Sequence, residues 1–333
     1  MGLGLVAVFG LALVLGSVLI PVDQVVMILL GGEPERRAWE TIVIDIRLPR
    51  AITAALAGAA LAVAGLQMQT LFRNPLAGPF TLGITSGASL GVALLTLAGA
   101  GPAGAFASGL GLGATFGVTV AAALGAAAVA TLVLVLAARV RSTVTVLVVG
   151  LMVGFTTGSV VSLLIWFADP ERISAFVRWG FGTFRTTTWD ELTIFAPVVL
   201  IALVATAASA KVLNALLLGE RYAESMGVGI RRARIGVVVT ASALAGTVTA
   251  FAGPIGFLGL AVPHLARGML DTNDHRILVP ASILLGAGVA LVAEIVAQVP
   301  GNDVTLPINA VTALLGAPVV VFVLLRASPR SFT

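Results

Sequence analysis

"IRLPRAITAALAGAALAVAGLQMQTLFRNPLAG", Ile46 to Gly78, decides the fold class. Two arginines and a proline stand at its start; an arginine, an asparagine and a proline close it. Between them runs an apolar stretch of roughly 20 residues, the length a helix needs to cross a hydrocarbon core about 30 Å thick. The pattern recurs through all 333 residues, of which 59% are apolar and 10% charged, with a mean hydropathy of +1.10. Soluble domains carry about 25% charged residues. The chain therefore reads as an all-α polytopic membrane protein. A transmembrane barrel would alternate in segments of about 10 residues, and such segments are absent.

Hydropathy predicts ten spans, near 3–20, 48–71, 81–99, 113–138, 143–167, 189–210, 233–251, 255–270, 277–298 and 305–325. The first is counted as a span because no basic segment precedes it, as one would precede a signal-peptide core. With ten spans both termini share a side. If that side is cytoplasmic, it receives 12 of the 19 basic residues and four acidic ones, for +8, leaving −4 outside. Positive charge retained inside favours this orientation and explains a pI of 10.9 without a nucleic-acid partner. Thirty-eight glycines suit helices that approach closely in lipid. The absence of cysteine removes disulfides and thiolate metal sites.

"ALAGAALAVAG" (55–65) and "ALAGTVTAFAG" (243–253) match at seven of eleven positions. They stand five spans apart, an odd number, so the copies run in opposite directions, as in the inverted repeats of transporters. The competing reading is chance similarity between Ala/Gly-rich helices.

Several chemistries lack their residues. His264 and His275 do not form an H-E-x-x-H pair, and the only lysine, Lys211, is not in a P-loop. Ion-coupled carriers place ionisable groups deep in their spans. Here the one acidic candidate is Glu294, read as a solvated carboxylate near the outer end of the ninth span. No catalytic or metal site is expected, and ATP-driven work needs a partner.

The longer motifs carry a resemblance: "RLPR" (47–50), "NPLAGPFTLGITSGAS" (74–89), "LGERYAESMGV" (218–228), "AGPIGFLGLAVPHLAR" (252–267) and "LPINAVTALLGAPVVVFVLL" (306–325). The chain resembles, nearly end to end, the FecCD/BtuC family of permeases from bacterial importers of iron siderophores, haem and vitamin B12. The resemblance implies one permease domain over 1–333, a homodimer of ten-helix subunits, and spans 2–5 and 7–10 as inverted repeats. It also implies two ATPase subunits, which bind the ATP and magnesium, and a periplasmic or lipid-anchored substrate-binding protein. The setting is the cytoplasmic membrane of a bacterium.

Residue by residue, the resemblance places Arg47 and Arg50 on the outer surface to meet carboxylates of the binding protein. It makes 211–232 the segment that couples to the ATPase, with Gly219 and Gly227 at turns and Glu220, Ala223 and Met226 on the contact surface. It assigns Asn74 and Leu76, with Ser142 and Thr143, to cytoplasmic constrictions; an ordinary turn and helix cap is the competing reading for them. The fifth and tenth spans would line the path, with Met152, Phe155, Thr156, Ser159, Asn309 and Thr312 as candidates from polarity and spacing. Two departures concern docking and cargo: Gln298 stands where relatives can supply an arginine, and Thr305 where an acidic residue is often found. An iron chelate is the preferred cargo, vitamin B12 the alternative and an ion-coupled carrier the different-class alternative.

Overall fold

The computed structural model describes residues 1–98, 114–139, 143–299 and 305–326. The described chain is helical: α1 (Gly2–Val14), α2 (Val22–Leu29), α3 (Arg37–Phe72), α4 (Ile84–Thr96), α5 (Ala114–Arg139), α6 (Thr143–Trp166) and α7 (Pro170–Gly180). The second half continues with α8 (Trp189–Ala208), α9 (Ala210–Leu217), α10 (Glu220–Ser225), α11 (Ile230–Ala252), α12 (Leu258–Leu270), α13 (His275–Ala297) and α14 (Ile308–Arg326).

Each of the ten predicted spans contains a helix, but not ten full-length ones. Among the described residues, α3, α5, α6, α8, α11 and α13 are long and apolar enough to cross a bilayer. The first span is cut short at Val14, where Leu15 turns extended; at 13 residues α1 is about 20 Å long. α4 and α12 are equally short, and for a shared reason. Ala77-Gly78-Pro79 and Ala252-Gly253-Pro254 precede them, and neither stretch can continue a helix through its proline. The irregular backbone is tolerated because it lies inside protein: Ala77, Pro79, Leu82 and Ile255 are buried.

α3 is the central element, with nearly every side chain from Pro49 to Leu71 buried. It packs on α8, α11, α12 and α13. Glycine permits these approaches. A Cβ on Gly65 would lie 1.7 Å from the carbonyl oxygen of Gly259, and one on Gly58 would lie 2.1 Å from that of Gly286. Gly87 and Gly125 make the same kind of contact between α4 and α5. Without a hydrophobic drive in lipid, van der Waals contact of this closeness holds helices together. The pairings also repeat between halves: α3 with α13 and α11 with α5, α4 with α5 and α12 with α13, α4 with α6 and α12 with α14.

Gly65→Ala should push α3 off α12 and destabilise the protein by about 1–3 kcal/mol or more. Gly158→Ala, with open space at its Cβ in mid-helix, should be neutral or stabilise by up to about 1 kcal/mol. Thermal unfolding in detergent or nanodiscs distinguishes the two.

Candidate functional site

Three surfaces carry the candidate residues: the face where α3 begins, the face where it ends, and the open side of α6.

At the first face, Arg47 and Arg50 are buried, at 4% and 8% exposure, not displayed on the surface as the sequence reading has them. Helix termini leave carbonyls without intrahelical partners. Arg47 supplies them for α1: Nη1 donates to Leu13 O at 2.7 Å and Val14 O at 2.9 Å, and Nη2 donates to Val18 O. Gly16 leaves the room, since a Cβ there would lie 2.7 Å from Arg47 Nη2. Arg50 Nε lies 3.5 Å from Glu294 Oε1. That oxygen also accepts from Gln298 Nε2 at 2.9 Å. Glu294 is thus not solvated but 2% exposed, because α13 lies directly against α3 and brings the carboxylate to Arg50. Glu294 and Gln298 line a cavity of about 280 Å³ together with Arg178, Arg185 and Thr305. Gln298 and Thr305, the two departures from the pattern the sequence resembles, therefore border one pocket. The arginines displayed on this face include Arg178 and Arg185, which border that cavity, besides Arg36 and Arg37 at the start of α3; the sequence reading did not single them out.

At the second face, Asn74 Oδ1 accepts the N–H of Leu76 at 2.9 Å, closing a side-chain turn beyond the left-handed cap at Arg73. Leu76 projects at 51% exposure. Thr143 opens α6, and Ser142 lies outside the described residues. The segment after α8 folds into two short helices, α9 and α10, with Gly219 at φ +102° between them and Gly227 at φ +85° beyond. Those angles strain any residue with a Cβ. Glu220 pairs with Arg234 at 2.9 Å. Met226 is half exposed, but Ala223 is fully buried in the core and not on the contact surface. The outward residues of α10 are Arg221, Tyr222, Glu224 and Ser225. A cavity of about 750 Å³ opens between this segment and the ends of α3 and α6, bordered by Phe72, Arg73, Val144, Gly219 and Tyr222.

On α6, Met152, Phe155, Thr156 and Ser159 share one exposed face. The hydroxyls of Thr156 and Ser159 each donate at 2.9 Å to the carbonyl four residues back, so the wall they form is only weakly polar. The α14 candidates are not on that wall. Asn309 Oδ1 accepts the N–H of Gly256 at 3.0 Å, holding the loop before α12, and Thr312 is buried.

A buried polar hub on α3 was visible in the sequence only as three polar residues in an apolar run, "GLQMQT". Gln67 Nε2 donates to Thr206 Oγ1 and Thr240 Oγ1, at 2.7 and 2.8 Å. Gln69 Oε1 accepts from Arg267 at 2.6 Å, and Thr70 Oγ1 lies 2.7 Å from His275 Nε2. Asp274 caps α13 by accepting the N–H of Arg276. The Asn214 amide, and then that N–H, hold its carboxyl below the usual carboxylate range.

This architecture is that of a multi-pass permease of the ABC transporter kind. The chain belongs to the FecCD transport family, whose model matches residues 4–326. It is 32% identical to the hemin transport system permease HmuU of Yersinia pestis, over 87% of each chain. It is 35% identical to the vitamin B12 import system permease BtuC of Vibrio cholerae, over 87% of this chain and 85% of that one. Among solved structures, a metal-chelate type ABC transporter in an inward-facing conformation superposes with a TM-score of 0.84 at 28% identity, covering 98% and 97% of the two chains.

Truncating one partner of the buried Arg50–Glu294 pair should cost about 3–5 kcal/mol, whereas replacing both by apolar residues of similar volume should recover most of it. Thermal unfolding of R50A, E294A and R50M/E294M tests this. Because the Asp274 pKa is lowered, its stabilisation is present above the ordinary carboxylate pKa and is lost as pH falls through the lowered value. Asp274→Asn should therefore flatten the acid side of the stability profile.

Proposed function

We propose that this chain is the membrane-spanning subunit of a binding-protein-dependent ABC importer that moves an iron chelate, ferric siderophore or haem, into a bacterial cell. The carrying observation is family membership over 4–326, with a hemin permease and a metal-chelate transporter among its relatives. Two copies would enclose the path between their α6 faces. A wall of Met152, Phe155 and self-satisfied hydroxyls would let a bulky cargo pass without holding it by strong bonds.

In this reading the chain lies in the inner membrane with both termini cytoplasmic. The face where α3 begins is periplasmic and receives the binding protein around Arg47 and Arg50, with Arg178 and Arg185 among the exposed cations. The face where α3 ends meets two ATPase subunits through 211–232, chiefly at Met226 and the outward residues of α10. Asn74, Leu76, Ser142 and Thr143 close the cytoplasmic end. The chain makes and breaks no covalent bond; ATP and magnesium are held by the partners, whose closure shifts the pair between outward and inward access. The matching helix pairings of the two halves support the inverted repeat of spans 2–5 and 7–10. Vitamin B12 is the second cargo reading, favoured by the 35% identity to BtuC.

Proteoliposomes holding this chain, its ATPase and its binding protein should accumulate one of ferric siderophore, haem or cobalamin only when ATP is enclosed. Uptake that ignores ATP and follows an imposed ion gradient would overturn the importer reading.

A further inference from the structure

The segment 211–232 is read above as the element that meets the ATPase, and the inference that follows rests on that reading. What ties it to the membrane core is a specific cluster. α9 lies against α3 and α13 and buries Leu213 and Leu216. Beside them, the Asn214 carboxamide oxygen accepts two donors of His275: the main-chain N–H at 2.8 Å and ring Nδ1 at 2.8 Å. Its Nδ2 donates to Asp274 Oδ1 at 2.6 Å, the same oxygen that caps α13.

The main-chain donor fixes which way the Asn214 amide points, because only its oxygen can accept. The ring nitrogen facing that oxygen must then carry a proton, so Nδ1 is the donor. His275 Nε2, unprotonated on the far side of the ring, faces the Thr70 hydroxyl of α3 at 2.7 Å, whose single proton is shared between it and the Leu66 carbonyl at 2.8 Å. Both Thr70 and His275 are sealed from solvent, at 1% and 0% exposure. One imidazole thus bridges α9 to the central helix, by the bond from Nδ1 to Asn214 and by the Thr70 hydroxyl at Nε2, whose proton alternates between that nitrogen and the Leu66 carbonyl. Apolar contact alone would let α9 slide or rotate on its neighbours, while this chain of bonds holds one register.

We infer that Asn214, acting through His275 and Thr70, is the positioning residue that makes α9 and the segment it leads into move as one body with α3 and α13. A push delivered at α10 is then transmitted to the central helix rather than dissipated by slippage. Gly219, at φ +102°, is the bend between the anchored helix and the one that receives the push.

The test compares wild type, Asn214→Leu and the milder Thr70→Val, which removes only the hydroxyl that faces Nε2. Hydrogen exchange on the full chain in nanodiscs should show α9 amides opening about five- to tenfold faster in N214L, with α11 amides unchanged and T70V shifted less in the same direction. In the assembled transporter, ATP consumed per cargo molecule should rise about fivefold in N214L. Equal acceleration in α9 and α11 would mean general destabilisation and would overturn the assignment. So would an unchanged ATP-to-cargo ratio when α9 alone has loosened. If N214L does not fold, T70V carries both measurements with the same outcomes. Wild type without ATP-dependent uptake would sink the importer reading instead, and the exchange comparison would still decide whether the cluster anchors α9.

Discussion

The carbonyl oxygen of Gly259 sits where a side chain on Gly65 would have to begin, and the carbonyl of Gly286 stands in the same relation to Gly58. These approaches on one helix set the spacing of the bundle. Lipid offers apolar side chains no gain from leaving solvent, so helix association depends on how close backbones can come. α3 is enclosed by α8, α11, α12 and α13 on this account, and its polar residues become interior residues that must find partners. The hub of Gln67, Gln69 and Thr70 follows from that enclosure: each reaches a different neighbour, and each bond records which helix stands where.

The same burial changes the meaning of charge. An arginine at the mouth of a span reads from sequence as a displayed cation, because water is assumed to be beside it. Here α1 stops early and points its last carbonyls at Arg47, which spends its donors on them. α13 delivers Glu294 to Arg50. Open cations on that face include Arg178 and Arg185, which lie at the end of α7 and beyond it, and Arg36 and Arg37 where α3 starts. Local exposure is not a property of a tetrapeptide, and no inspection of "RLPR" could have revealed which helix end would lie against it.

Much was legible without coordinates. The apolar runs located a helix for every predicted span, glycine abundance announced close packing, and "LLLGERYAESMGVGIRRARI" announced a polar segment with bends at Gly219 and Gly227, where φ is positive. Met152, Phe155, Thr156 and Ser159 share one exposed face of α6, as their spacing suggests. Ala223 and Thr312 are buried and Asn309 holds Gly256, because spacing gives the face a residue shares and not what that face meets.

Sequence by itself determined that this chain is a helical membrane protein, where its apolar segments lie and which family it joins, since those depend on composition, run length and extended motifs. Tertiary structure alone decided the early stop of α1 against Arg47, the pairing of Arg50 with Glu294 and the bridge from Asn214 through His275 to Thr70. The physical reason is distance along the chain: Thr70 and His275 are 205 residues apart, and no local propensity reports a partner so remote.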